Sequence, residues 1–126
     1  MTDILIVDDN AAFRRMLRGI LLSRLPALNI REAPEGDSAL QAAEKKVPDL
    51  IFMDIRLPGE NGFELTKRFK TRYPGVPVFI MTSFDSPEYR EAAFQSGADN
   101  FLSKQVSTPE DIFQRVTTLF PLHPAA

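Results

Sequence analysis

The chain has 126 residues, 44% hydrophobic and 25% charged, which suits one packed domain and leaves little room for a second. Its 15 basic and 17 acidic side chains give a net charge of −2, a balance that argues against direct nucleic-acid binding through clustered Lys and Arg. Cysteine is absent, so disulfides, thiolate metal sites and cysteine nucleophiles are excluded.

The N-terminus, Met1-Thr2-Asp3-Ile4, lacks the basic and apolar regions of a secretory signal. No apolar run approaches the roughly 20 residues a membrane helix needs, and the expectation is a soluble, cytoplasmic protein with no membrane partner. The first apolar run, Ile4-Leu5-Ile6-Val7, is short and unalternated, the pattern of a strand buried on both faces. Asp8 and Asp9 follow it. Asn10 is a plausible cap for a helix whose apolar face is Phe13, Met16, Leu17, Ile20 and Leu21. Leu28 to Ala33 is a weaker strand candidate, and Asp37 to Lys46 is Ala-rich and helical in propensity.

Leu50-Ile51-Phe52-Met53 reads as the next buried strand and leads directly into Asp54. Asn61 and Glu64 resemble a capping box for a helix running to about Tyr73. Val78-Phe79-Ile80-Met81 is a further strand, followed by Thr82 and Ser83. A helix from about Ser86 to Ser96 has only Tyr89, Ala92 and Ala93 as its apolar stripe, and Gly97 fits just past its end. Phe101-Leu102 is the last strand, followed by Ser103 and Lys104. Thr108-Pro109-Glu110-Asp111 is a strong helix start, with Ile112, Val116, Leu119 and Phe120 as the expected buried stripe. Residues 1–121 would form the domain and 122–126 a tail or the start of a linker.

Strand and helix alternate throughout, which predicts an α/β fold with a parallel sheet doubly wound by helices. Ligands of such sheets bind beyond the carboxyl ends of the strands. Asp8, Asp9, Asp54, the Thr82 and Ser83 hydroxyls, Ser103 and Lys104 all fall at that edge. Carboxylates crowded in one crevice repel one another unless a cation is present. With no cysteine and the single histidine, His123, in the tail, the available donors are oxygens, and the cation would be a hard ion such as Mg²⁺. Lys104 would supply a point charge for a phosphate oxygen. A metal, a lysine and a hydroxyl around a carboxylate describe a phosphoryl-transfer site. Taken singly, each residue has a plainer reading: a helix start for Asp8 and Asp9, a turn for Asp54, a cap for Thr82, a surface charge for Lys104 and core packing for Phe101. The plain readings leave their common edge unexplained.

The series Asp8-Asp9, Asp54-Ile55-Arg56-Leu57-Pro58-Gly59, Met81-Thr82-Ser83, Gly97-Ala98-Asp99 and Lys104 resembles the response-regulator receiver family from about Ile4 to Phe120. The resemblance implies a flavodoxin-like three-layer sandwich with a five-stranded sheet in the order 2-1-3-4-5. It implies that Asp54 takes a phosphoryl group from a histidine kinase or phosphotransfer protein. Mg²⁺ would be bound by Asp9, Asp54 and the backbone carbonyl of Arg56, with Asp8 acting through water. Lys104 and the Thr82 hydroxyl would contact the phosphoryl group, Phe101 would hold the aromatic switch position, and phosphorylation could drive homodimerisation through the fourth helix, last strand and last helix. In the family, the positions of Arg56 and Phe84 lie near the path of the hydrolytic water, and bulky Phe84 is expected to shield the phosphoryl group. One departure is Gln105, where many receivers carry a proline; a trans bond is expected there. Two competing functions share parts of the pattern: a receiver-like interaction module not regulated by phosphorylation, and a small aspartyl-phosphate hydrolase, for whose substrate pocket the chain is too short.

Overall fold

The computed structural model describes residues 2–120, so the expected boundary at residue 121, the tail 122–126 and His123 lie outside the described residues. Five strands, β1 (Asp3–Val7), β2 (Asn29–Ala33), β3 (Leu50–Met53), β4 (Val78–Thr82) and β5 (Asn100–Ser103), alternate with five helices. These are α1 (Ala11–Arg24), α2 (Gly36–Lys45), α3 (Gly62–Arg72), α4 (Pro87–Gln95) and α5 (Pro109–Leu119). All strand pairs are parallel, in the order β2-β1-β3-β4-β5, as expected.

The unalternated apolar strands are explained by two covered faces. Along β4, Val78 and Ile80 point into one core with Leu65, Phe69 and Ala93 of α3 and α4. Phe79 and Met81 point into the other with Leu17 and Leu21 of α1 and Val116 of α5, following the period of two along a strand. Each side chain of this size, fully buried, contributes about 1.5–3 kcal/mol of transfer free energy. Edge strand β2 buries Ile30 and Ala33 but leaves Arg31 and Glu32 partly or fully exposed, which is why its sequence signal is weak.

The helix starts follow local chemistry. Asn10 Oδ1 accepts from Phe13 N–H at 3.1 Å. Thr108 and Asp111 form a complete capping box. The box expected at Asn61 and Glu64 is only half made: Asn61 Oδ1 accepts from Glu64 N–H at 3.0 Å, while the Glu64 carboxylate turns to Lys67 at 3.3 Å. Two residues placed in apolar stripes are also corrected. Met16 is 52% exposed, because the buried ridge runs through Leu17 and Leu21 and Met16 lies about 100° around the helix from Leu17. Leu119 is 38% exposed, and Phe113 fills the core beside Ile112 and Val116 instead.

The amino end of the sheet is closed by a polar cluster. Fully buried Asp3 accepts from Arg31 Nη2 at 2.8 Å and Asn29 Nδ2 at 2.6 Å. Arg31 also donates to the carbonyls of Ala42 and Lys46 at 2.6 Å, tying down the end of α2. This edge is therefore satisfied internally.

Candidate functional site

The site begins where the ladder of the sheet runs on past the strands. Asp8 N–H donates to Ala33 O at 3.0 Å and Asp54 N–H to Val7 O at 2.9 Å. These bonds bring the backbones of Asp8 and Asp54 side by side at the carboxyl edge. Asp8 is 2% and Asp54 8% exposed, whereas Asp9 faces solvent. Carboxylate oxygens of Asp8, Asp9 and Asp54 lie within 4.8 Å of one another.

β5 delivers the cation. Lys104 N–H donates to Thr82 O at 2.9 Å, and its ammonium reaches back to Asp8 Oδ2 at 2.5 Å and Asp54 Oδ2 at 3.3 Å. The other oxygen of each carboxylate is held by backbone: Asp8 Oδ1 by Asn10 N–H at 2.8 Å, and Asp54 Oδ1 by Ile55 N–H at 2.8 Å. Burial raises the Asp54 carboxyl above its usual value, and the neighbouring Asp8 adds to the rise; Lys104 and the Ile55 N–H oppose it. A carboxylate destabilised by burial and a like charge, with a third carboxylate at the mouth, is an environment that a small hard cation relieves. The spacing approaches the roughly 3–4 Å between oxygens around an octahedral Mg²⁺, so the donor set fits that ion.

Thr82 is fully buried, and its Oγ1 accepts from Phe84 N–H at 3.2 Å. Ser83 is exposed. Ser103 does not join the site: its Oγ accepts from Gln105 and Val106 N–H at 3.2 and 3.3 Å, shaping the loop after β5. The Lys104–Gln105 bond is trans, as expected. Arg56 is exposed, with its guanidinium 4.0 Å from the ring centroid of Phe84; Tyr89 lies 5.8 Å from the same ring. Phe101 is 2% exposed and sits in the α3/α4 core beneath the Arg90 guanidinium, 4.8 Å from the ring centroid.

Two residues support the site in ways the sequence did not show: Arg14, which no motif singles out, and Gly62, for which the sequence suggests only a turn role. Arg14 Nη1 donates to Asp8 O at 2.6 Å and its Nε to Glu32 at 3.0 Å, bracing the turn after β1. Gly62 N–H donates to Ile55 O at 2.7 Å, and a Cβ on Gly62 would stand 2.0 Å from Asp54 O. A glycine in the first turn of a helix, where propensity disfavours it, was the available signal for the second; no pattern marked the first.

Residues 4–117 match the family described as response regulator receiver domain. The chain belongs to this family. Among relatives, the receiver is 32% identical over 88% of its length to the probable transcriptional regulatory protein TcrX of Mycobacterium tuberculosis, covering 47% of that protein. It is 34% identical over 95% of its length to the transcriptional activator protein ExaE of Pseudomonas putida, covering 56% of it. The receiver thus spans about half the length of the curated relatives it matches. The crystal structure of the receiver domain of NtrX from Brucella abortus superposes with a TM-score of 0.85 at 30% identity, over 94% of this chain and 98% of that one. No helix among the described residues is long and apolar enough to cross a membrane.

Proposed function

We propose that Asp54 is the phosphoacceptor of a signalling switch, charged by a histidine kinase or a phosphotransfer protein. The observation that carries this reading is the Lys104 ammonium set between Asp8 and Asp54, 2.5 and 3.3 Å away, at the edge where the third carboxylate converges. Asp54 Oδ1 is engaged by Ile55 N–H, so Oδ2, on the Lys104 side, is the nucleophile. Its bond to phosphorus forms as the donor's phosphorus–nitrogen bond breaks, and the donor imidazole recovers a proton. Lys104 then neutralises a phosphoryl oxygen. Asp9, Asp54 and the Arg56 carbonyl would hold Mg²⁺, with Asp8 acting through water, and the bound ion would supply further charge neutralisation at the phosphoryl oxygens.

The product offers acceptor oxygens to the Thr82 hydroxyl, which among the described residues accepts from Phe84 N–H. Turning that hydroxyl re-sets the loop before α4 and the packing around Phe101, biasing a two-state element. The receiver acts on its own phosphoryl group, including its hydrolysis, and turns over no metabolite. Phe84, stacked on Arg56, would wall the group from water; Phe84→Ala is expected to speed dephosphorylation severalfold, read as loss of the modified mass with time. An output domain or partner protein, a cytoplasmic location and a dimer through α4, β5 and α5 belong to the same reading; sizing with and without beryllofluoride tests the dimer.

The deciding experiment is intact-mass measurement after incubation with Mg²⁺ and a small phosphodonor, with Asp54→Ala as control. One base-labile phosphoryl group, dependent on Mg²⁺ and absent from the variant, is the expected result. No modification and no spectral response to beryllofluoride would instead favour the interaction module.

A further inference from the structure

The Lys104 ammonium has three N–H donors, and the two carboxylates account for two directions. A third side meets Phe13, whose ring centroid lies 4.1 Å from Nζ. That is well inside the roughly 6 Å over which a ring face attracts a cation, and the attraction grows with desolvation. Desolvation is high here, since the Lys104 side chain is only 12% exposed. Phe13 is placed by the start of α1: Asn10 Oδ1 accepts its N–H at 3.1 Å, and its ring packs against the α1/α5 core. The cap that begins the helix therefore also aims an aromatic face at the site.

We propose that Phe13 is a positioning residue, whose ring face holds the Lys104 ammonium beside Asp54 for phosphoryl transfer. This rests on the reading of Asp54 as phosphoacceptor. The physical need is visible in the distances. Lys104 lies closer to Asp8 than to Asp54, 2.5 against 3.3 Å, so a lysine held by carboxylates alone is drawn off the acceptor. The ring restrains it without adding a hydrogen bond that a phosphoryl oxygen would have to displace. A leucine at this position would keep the apolar packing of α1 but present no negative face.

The test compares Phe13→Leu, Phe13→Tyr and the parent, each also in a Lys104→Ala background. With a small phosphodonor and Mg²⁺, Phe13→Leu is expected to slow the saturated phosphorylation rate about fivefold. The half-saturating donor concentration should not change, and Phe13→Tyr should retain the parent rate. In the Lys104→Ala background, Phe13→Leu should cost nothing further. Without metal or donor, the Lys104 ε-methylene protons should show an upfield ring-current shift in the parent and the Tyr variant, and not in the Leu variant. A Phe13→Leu rate equal to the parent, or an equal loss with and without Lys104, would overturn the inference while leaving Asp54 as acceptor. A parent that takes up no phosphoryl group overturns both, and the ring-current shift then reports the Phe13–Lys104 contact alone.

Discussion

At Asp54 the residue's own stability and its function are opposed. Its carboxyl is raised above the ordinary 3.8 by burial and by Asp8. A carboxyl raised in the folded state favours folding when protonated, and that contribution is lost as pH rises from 3.8 through the raised folded value. Near neutral pH the charged Asp54 therefore weakens the fold. Asp54→Asn is expected to raise the denaturation midpoint at neutral pH, with the gain shrinking as the pH is lowered toward 3.8; urea titrations of both proteins at the two pH values check it. Gly62 is constrained from the other side. A Cβ there would meet Asp54 O at 2.0 Å and Ile55 Cα at 2.9 Å, both backbone atoms that cannot rotate away. Gly62→Ala should cost about 1–3 kcal/mol in urea denaturation, the usual penalty of overpacking, and should weaken Mg²⁺ binding by displacing Asp54.

The helices differ in how firmly they are held. α5 buries Ile112, Phe113 and Val116 and starts from a complete capping box. In α4 only Ala93 is buried, although Ser86 caps the helix and Pro87 opens it. Few buried contacts mean a low free energy of local opening. Amides of α4 are expected to exchange with deuterium faster than those of α5, and their protection to change when beryllofluoride is added with Mg²⁺. Equal protection of the two helices in both states would remove α4 from the switch. The weak stripe of Tyr89, Ala92 and Ala93 made this contrast readable in the sequence. The half-made box at Asn61 was not readable, because spacing along the chain does not decide whether the exposed Glu64 carboxylate turns back to the Asn61 N–H or outward to Lys67.

Across the whole molecule, the two edges of the sheet divide the work. The Asp3–Arg31 cluster satisfies its charges internally and fastens α2. The opposite edge leaves Asp9 exposed beside two buried carboxylates. A ligand that binds only the folded state stabilises it by mass action, by about 2.7 kcal/mol at a hundred times its Kd. Mg²⁺ should therefore raise the melting temperature of the parent in a concentration-dependent way and fail to do so for Asp9→Ala, as followed by calorimetry.

The sequence by itself determined the alternation of buried strands and capped helices, because burial on two faces demands unbroken apolar runs and helix starts need local acceptors. It also determined which residues end or follow the strands, and hence that Asp8, Asp9, Asp54, Thr82 and Lys104 share one edge. Strand order came only with the family resemblance. Tertiary structure alone decided which carboxylate oxygens Lys104 contacts, that Ser103 turns away into its loop, that Met16 faces solvent, and that Gly62 and Phe13 crowd the site. The reason is physical: contacts between strands depend on parallel register and on the rotation of each helix against the sheet. Neither is set by spacing along the chain, and both are fixed only when the two cores close on either side of the sheet.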